Sequence, residues 1–235
     1  MPITTVMFDL DGTLLPMDQE LFIKDYFGRI VRKMAPYGYE PDKLIDILWK
    51  GTGAAIQNDG RCSNEEIFWT VARSMVGEKI IKDKPLFDQF YEEEFDKIKS
   101  SCGFAPESAE IIRSLKDRGL RVILATNPVF PAPATRWRIR WAGMKPEDFD
   151  LVTTYENSCH CKPNTDYYRD ILEQFGLKGE ECVMVGNDVQ EDMIARTLGM
   201  KVFLLTPCLI NRDDTDINQF PHGGYKELSE FLLNI

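Results

Sequence analysis

Five short apolar runs, separated by segments of helical period, constrain this chain more than any other feature of it: Val6–Phe8, Arg121–Ala125, Leu151–Thr154, Cys182–Val185 and Lys201–Leu205. Short runs without alternation read as strands buried on both faces. Strands that alternate with helices build a parallel, doubly wound sheet, a Rossmann-like α/β core. The helical patterns between them cover Pro106–Arg118, Ala132–Ala142, Thr165–Phe175, the stretch after Gly186-Asn187-Asp188 as far as Leu198, and Tyr225–Leu233. Pro106 at a first turn and Gly119 after a last one are the ordinary start and stop signals.

The first run is separated from the rest by a long stretch with no strand pattern. Leu21, Phe22, Tyr26, Ile30, Val31 and Met34 recur at helical spacing until Ala35-Pro36-Tyr37-Gly38. A second helix is expected over Pro41–Lys50, with Gly51-Thr52-Gly53 and Gln57–Arg61 as a loop after it. A third opens at Ser63-Asn64-Glu65-Glu66, a capping-box pattern, and a fourth spans Pro85–Ile98. The expected organisation is therefore an α/β core from residues 1–16 and 103–235, interrupted by an all-helical cap over residues 17–102.

Charge and composition exclude several classes of partner. The formal net charge of −10 over 235 residues argues against a nucleic-acid surface or an anionic membrane. No stretch is apolar for long enough to span a bilayer, and no secretory signal precedes the first strand. The six cysteines are scattered, as expected of reduced thiols in the cytoplasm. Cys159-His160-Cys161 lacks the second paired spacing a zinc site needs.

Ligands of a parallel sheet collect beyond the carboxyl ends of its strands, and there the chain places its chemistry. Asp9 and Asp11 follow the first strand, with Gly12 to turn the backbone. Two apart in extended chain, they point the same way and repel unless a cation or a shared proton relieves them. Thr126 ends the second strand, Lys162 follows the third, and Asp188 and Asp192 follow the fourth, spaced to face one point. Together they suit phosphoryl transfer. Asp9 and Asp188 are oxygen ligands for Mg²⁺, and a carboxylate can attack phosphorus to give an aspartyl-phosphate. Lys162 and Thr126 would bind the equatorial oxygens, and Asp11 would protonate the leaving oxygen and then deprotonate water.

The strings DLDGT, ATN, CKPN and GNDVQED, in this order, resemble the four motifs of the haloacid dehalogenase superfamily. The resemblance runs along the whole chain. It implies Asp9 as nucleophile, Asp11 as general acid and base, and Thr126, Asn127 and Lys162 as phosphate-binding residues. It also implies a Mg²⁺ site at Asp9, Asp11 (through its carbonyl), Asp188 and Asp192. Dehalogenating members lack an acid where Asp11 stands, and phosphatases carry threonine where Thr13 stands. The expectation is a Mg²⁺-dependent phosphatase of a small phosphorylated metabolite, monomeric or homodimeric. The alternatives are a β-phosphoglucomutase-like phosphosugar mutase and, more remotely, a non-catalytic phospho-receiver or scaffold. Arg61, on the glycine-containing loop, is expected to read the leaving group. In Trp137-Arg138-Ile139-Arg140-Trp141 the tryptophans are expected to pack and the arginines to face solvent.

Overall fold

The computed structural model describes residues 2–235. Six parallel strands form one sheet: β1 (Thr5–Phe8), β2 (Arg121–Leu124), β3 (Leu151–Val152), β4 (Cys182–Gly186), β5 (Lys201–Leu205) and β6 (His222–Gly223). Their spatial order is β3-β2-β1-β4-β5-β6. The order reverses at β1, where open sheets of this winding hold their ligands. Phe8 lies level with Leu124 on one side and Val185 on the other. That register brings Asp9, Thr126 and Asp188 to one edge.

Alternate side chains of each strand enter opposite faces. Val6, Phe8, Val122, Leu124, Val183 and Val185 pack with Ile112 and Leu115 of α6 (Pro106–Asp117), Ile139 of α7 (Ala132–Trp141) and Leu228 of α9 (Tyr225–Leu233). Met7, Ile123, Ala125, Met184 and Leu204 pack on the other face with Tyr167, Tyr168 and Ile171 of α8 (Thr165–Phe175). The strands are thus covered on both sides, which accounts for their unbroken apolar character.

Five helices lie between β1 and α6: α1 (Gln19–Met34), α2 (Pro41–Ile56), α3 (Asn64–Val76), the short α4 (Lys79–Lys82) and α5 (Lys84–Glu93), followed by 3₁₀ turns over Phe95–Ser101. Asp18 caps α1 by accepting from the Glu20 and Leu21 N–H groups at 3.0 and 3.1 Å. Ser63 and Glu66 form the capping box that opens α3. The chain leaves for these helices at Pro16 and returns at Gly103, whose N–H donates to the Pro16 carbonyl at 2.7 Å. On one side the helices are fastened by α7: Phe95 stacks on Trp141 at 5.6 Å, and Trp137 Nε1 donates to the Tyr91 carbonyl at 3.1 Å. On the other, buried Asn64 donates to the Pro128 carbonyl at 3.2 Å, and the Glu65 N–H to that of Tyr155 at 2.8 Å.

Four expectations need correction. Gly51-Thr52-Gly53 is not a loop but the continuation of α2, which runs to Ile56. The helix tolerates glycine there because a side chain at Gly51 would press into the Phe68 ring of α3. The fourth helix ends at Glu93 and tightens into 3₁₀ turns before Ser101. The helix expected as far as Leu198 is a set of turns with a 3₁₀ helix only from Met193, because Asp188 and Asp192 bond to backbone and lysine rather than to a regular first turn. Finally, β6 joins the sheet edge unannounced, since two residues carry no period.

Candidate active site

Asp9, Asp11, Thr126, Asn127, Asp188 and Asp192 line one cavity of about 180 Å³ at the carboxyl edge of the sheet. Lys162 stands beneath it, 1% exposed. Its Nζ donates to Asp9 Oδ1 at 2.9 Å and to Asp192 Oδ1 at 2.7 Å. Burial disfavours this ammonium, but the two carboxylates outweigh burial and hold its pKa well above the ordinary lysine value. Burial and the charge of Asp9 raise the pKa of Asp192, with Lys162 opposing them.

Asp192 is enclosed on all sides. Oδ1 takes the lysine, and Oδ2 accepts the Asp188 N–H at 3.0 Å. Gly186 makes room for it: any Cβ there would occupy the position of Asp192 Oδ2. Both Asp192 oxygens are thus engaged within the protein, one by Lys162 and one by the backbone of Asp188. Asp188 Oδ1 accepts from the Gln190 and Glu191 N–H groups at 2.9 and 3.0 Å, and Oδ2 pairs with Arg212 at 2.6 Å.

Asp9 is 8% exposed. Its second oxygen lies 3.2 Å from the hydroxyl of Thr13, which also reaches Asn187 Oδ1 at 3.0 Å. Asp11 departs from the expected simplicity. One of its oxygens pairs with Arg138, and Oδ1 is buried without any partner. Burial raises the Asp11 pKa, Arg138 opposes that, and Asp9 adds to it.

Arg138 itself is the main surprise. The segment Trp137–Trp141 was expected to turn its arginines to solvent, yet Arg138 is 1% exposed. It donates to Thr135 Oγ1 at 3.1 Å and the Ala134 carbonyl at 3.3 Å, and lies 4.5 Å over the Phe130 ring. Nothing in helical period distinguishes it from exposed Arg140; only the fold, which delivers Asp11 from 127 residues away, makes it an internal counter-charge.

Thr126 is 2% exposed at the cavity floor, its carbonyl held by the Thr153 and Tyr167 hydroxyls at 2.6 and 3.0 Å. Asn127 reaches the cavity with its amide engaged: Nδ2 donates to Glu191 Oε2 at 3.0 Å, and Oδ1 accepts the Lys162 N–H at 3.2 Å. Both ends of its side-chain amide are thus bonded within the protein. Arg61 is not brought to the site. Its side chain is 87% exposed and paired with Asp59 at 2.6 Å, because the loop carrying it packs Gly60 against the His160 ring instead of over the cavity. His160 in turn pairs with Asp170 at 2.7 Å. Thr13, Asn187, Glu191 and Arg212 complete the site. The first three lie inside or beside the motif strings, whereas Arg212 carries no sequence signal.

Among the described residues no cluster of three or more His, Cys, Asp or Glu side chains is gathered tightly enough to be a metal centre by itself. The Asp9 and Asp188 carboxylates nonetheless both line the cavity. Carboxylate oxygens are what a hard divalent cation takes together with substrate oxygens and water. The residues fit Mg²⁺.

A family model described as haloacid dehalogenase-like hydrolase matches residues 3–196. This chain belongs to the haloacid dehalogenase-like hydrolases. It is a hydrolase of that family, with an acid at Asp11. Pyrophosphatase PpaX of Bacillus anthracis is 24% identical over 233 residues, covering 99% of this chain and 96% of that protein. Pyrophosphatase PpaX of Bacillus cereus is 24% identical over 201 residues, 86% of this chain and 82% of the relative. Among solved structures, the HAD phosphatase from Thermococcus onnurineus superposes with a TM-score of 0.61 at 21% identity, covering 99% of this chain and 98% of that one. A predicted phosphoglycolate phosphatase from Haemophilus somnus gives 0.61 at 16%, covering 98% of each. These likenesses agree on the fold.

Proposed function

We propose that this hydrolase is a Mg²⁺-dependent phosphatase of a small phosphorylated metabolite, acting through an aspartyl-phosphate on Asp9. One observation carries the reading: an Asp9 carboxylate held by Lys162 and Thr13 lines the same cavity as Asp11. An Asp9 oxygen attacks phosphorus, and the bond from phosphorus to the leaving oxygen breaks. Asp11, protonated for this step, gives its proton to that oxygen. Its carboxylate then removes a proton from water, whose oxygen attacks the acyl phosphate and releases inorganic phosphate and the Asp9 carboxylate. Lys162 balances charge on the transferred group, and the Thr126 hydroxyl is its hydrogen-bond donor. Arg138 keeps Asp11 aimed at the cavity. Asp9, Asp188 and the Asp11 carbonyl would hold Mg²⁺, which when bound neutralises charge on the phosphoryl oxygens.

Residues 17–102 serve in this reading as a cap that shields the attacked phosphoryl group from bulk water. The six thiols, all unpaired, agree with a cytoplasmic setting. The pyrophosphatase and phosphatase names of the relatives support phosphate as the transferred group. The test is phosphate release from a panel of monoesters with Mg²⁺ and with chelator, for wild type and Asp9→Asn. Release by wild type with Mg²⁺, lost at least 10³-fold in the variant, is expected for removal of a nucleophile. Undiminished turnover by Asp9→Asn, or no release from any ester with Mg²⁺, refutes the reading.

A further inference from the structure

A second cavity, of about 310 Å³, adjoins the first and shares Gln19, Ile23, Val129, Phe130 and Glu191 with it. It lies between the helical block and the core. Its walls are largely aromatic, with Tyr26, Phe27, Trp49, Phe68, Trp69 and Tyr155 among them. The rings brace one another edge to face: Phe27 on Trp49 at 5.2 Å, and Phe68 on Trp69 at 5.3 Å. The polar atoms in these walls are largely turned on each other. The Tyr26 and Tyr91 hydroxyls share a hydrogen bond of 2.6 Å, and Trp69 Nε1 points at the Tyr155 hydroxyl, 3.4 Å away. Among the described residues no lysine or arginine lines this cavity, and the one carboxylate that does, Glu191, sits at the shared wall and is hydrogen-bonded to Asn127. At the outer edge Trp49 and Ile56 are 53% and 41% exposed, an apolar mouth facing solvent.

We infer that this second cavity takes the leaving group of the substrate, and that the leaving group is uncharged and apolar, of the size of one or two aromatic rings. The inference rests on the phosphatase reading, because the first cavity must hold the phosphoryl group. A cavity of about 150 Å³ suffices for benzene, so this one accommodates a larger ring system or a ring with an alkyl arm. An anionic leaving group would be stripped of water beside aromatic rings and a carboxylate with no cation to receive it. Pyrophosphate, a carboxylated phosphoester and a doubly phosphorylated sugar are all disfavoured on that ground. A sugar fares little better: the tyrosine and tryptophan polar atoms are turned on one another, which leaves Thr52 and Gln19 to meet its hydroxyls. The site therefore diverges from what the names of its pyrophosphatase relatives describe.

Two measurements separate this inference from the reading beneath it. In the first, kcat/KM is measured for linear alkyl phosphates from methyl to hexyl, 1-naphthyl phosphate, pyrophosphate, phosphoglycolate, glucose 6-phosphate and phosphocholine. A rise of roughly fourfold per added methylene is expected where each one is buried, with 1-naphthyl phosphate far above every charged or sugar ester. Ile56→Lys, a change at an exposed position, should lower the ratio of 1-naphthyl to methyl phosphate kcat/KM, and Thr52→Trp should lower it by filling the cavity. In the second, 1-naphthol is titrated into the Asp9→Asn protein while Trp49 and Trp69 fluorescence is followed. Saturable quenching that Thr52→Trp weakens supports the cavity assignment even if no ester is hydrolysed, an outcome that would sink the phosphatase reading alone. Hydrolysis with a flat alkyl series, a preference for phosphocholine or an anionic ester, or absence of saturable naphthol quenching overturns the inference.

Discussion

Replacing Arg138 by methionine tests the least expected feature of the site. Arg138 is 1% exposed, and the side chain of its partner Asp11 is 21% exposed. Methionine keeps an apolar stem against Phe130 but removes the charge and the hydrogen bonds to Asp11, Thr135 and the Ala134 carbonyl. Asp11 Oδ1 already lacks a partner, so the variant leaves the whole carboxylate unpaired. Breaking a buried ion pair from one side costs about 3–5 kcal/mol. The partial exposure of Asp11 sets the expectation at the lower end, about 3 kcal/mol. For a chain of this size that is a fall in Tm of roughly 6–12 °C. Asp11→Asn alone strands the guanidinium and should cost about 2 kcal/mol. The double variant removes both charges, so it should be no worse than about 2 kcal/mol rather than the roughly 5 kcal/mol of additive losses. Differential scanning calorimetry in chelator-containing buffer measures all four proteins without a cation masking the carboxylate. Additive losses in the double variant would show that Arg138 and Asp11 do not act as a pair.

Other substitutions probe the rest of the site. Asp192→Asn leaves one acceptor oxygen for two donors, Lys162 Nζ and the Asp188 N–H, and removes the charge facing the lysine, so a loss of about 3 kcal/mol in thermal unfolding and a large fall in kcat should come together; wild-type stability would refute the role given to Asp192. Gly186→Ala forces the Asp192 carboxylate to move, with an expected loss of about 1–3 kcal/mol and impaired turnover, and a fully active, equally stable variant would contradict the close approach. Arg61→Ala should leave KM for every substrate within twofold of wild type in steady-state assays. A KM rise confined to one substrate would return Arg61 to the site.

How much of this was readable before the fold depends on how local each signal is. The strand cores, the capping box at Ser63, the proline-initiated α6 and the full lengths of α8 and α9 follow from period and turn chemistry within about a dozen residues. The strand-end acids, Thr126 and Lys162 were readable as one site because a parallel sheet necessarily gathers its carboxyl ends. Glycine misled at Gly51 and Gly53: its usual meaning as a breaker gave way to the need for a close approach between α2 and Phe68.

By itself, then, the chain's order of residues determined a doubly wound sheet with a helical insertion and a row of acids at its edge. These are consequences of hydrophobic period and of strand polarity, which are written locally. The tertiary structure alone decided which groups neutralise which. It buried Arg138 against Asp11, enclosed Asp192 around Lys162, left Arg61 in solvent and opened an aromatic cavity beside the acidic one. Each of these depends on side chains far apart along the chain meeting at low exposure, where pairing and desolvation, not propensity, set the energy.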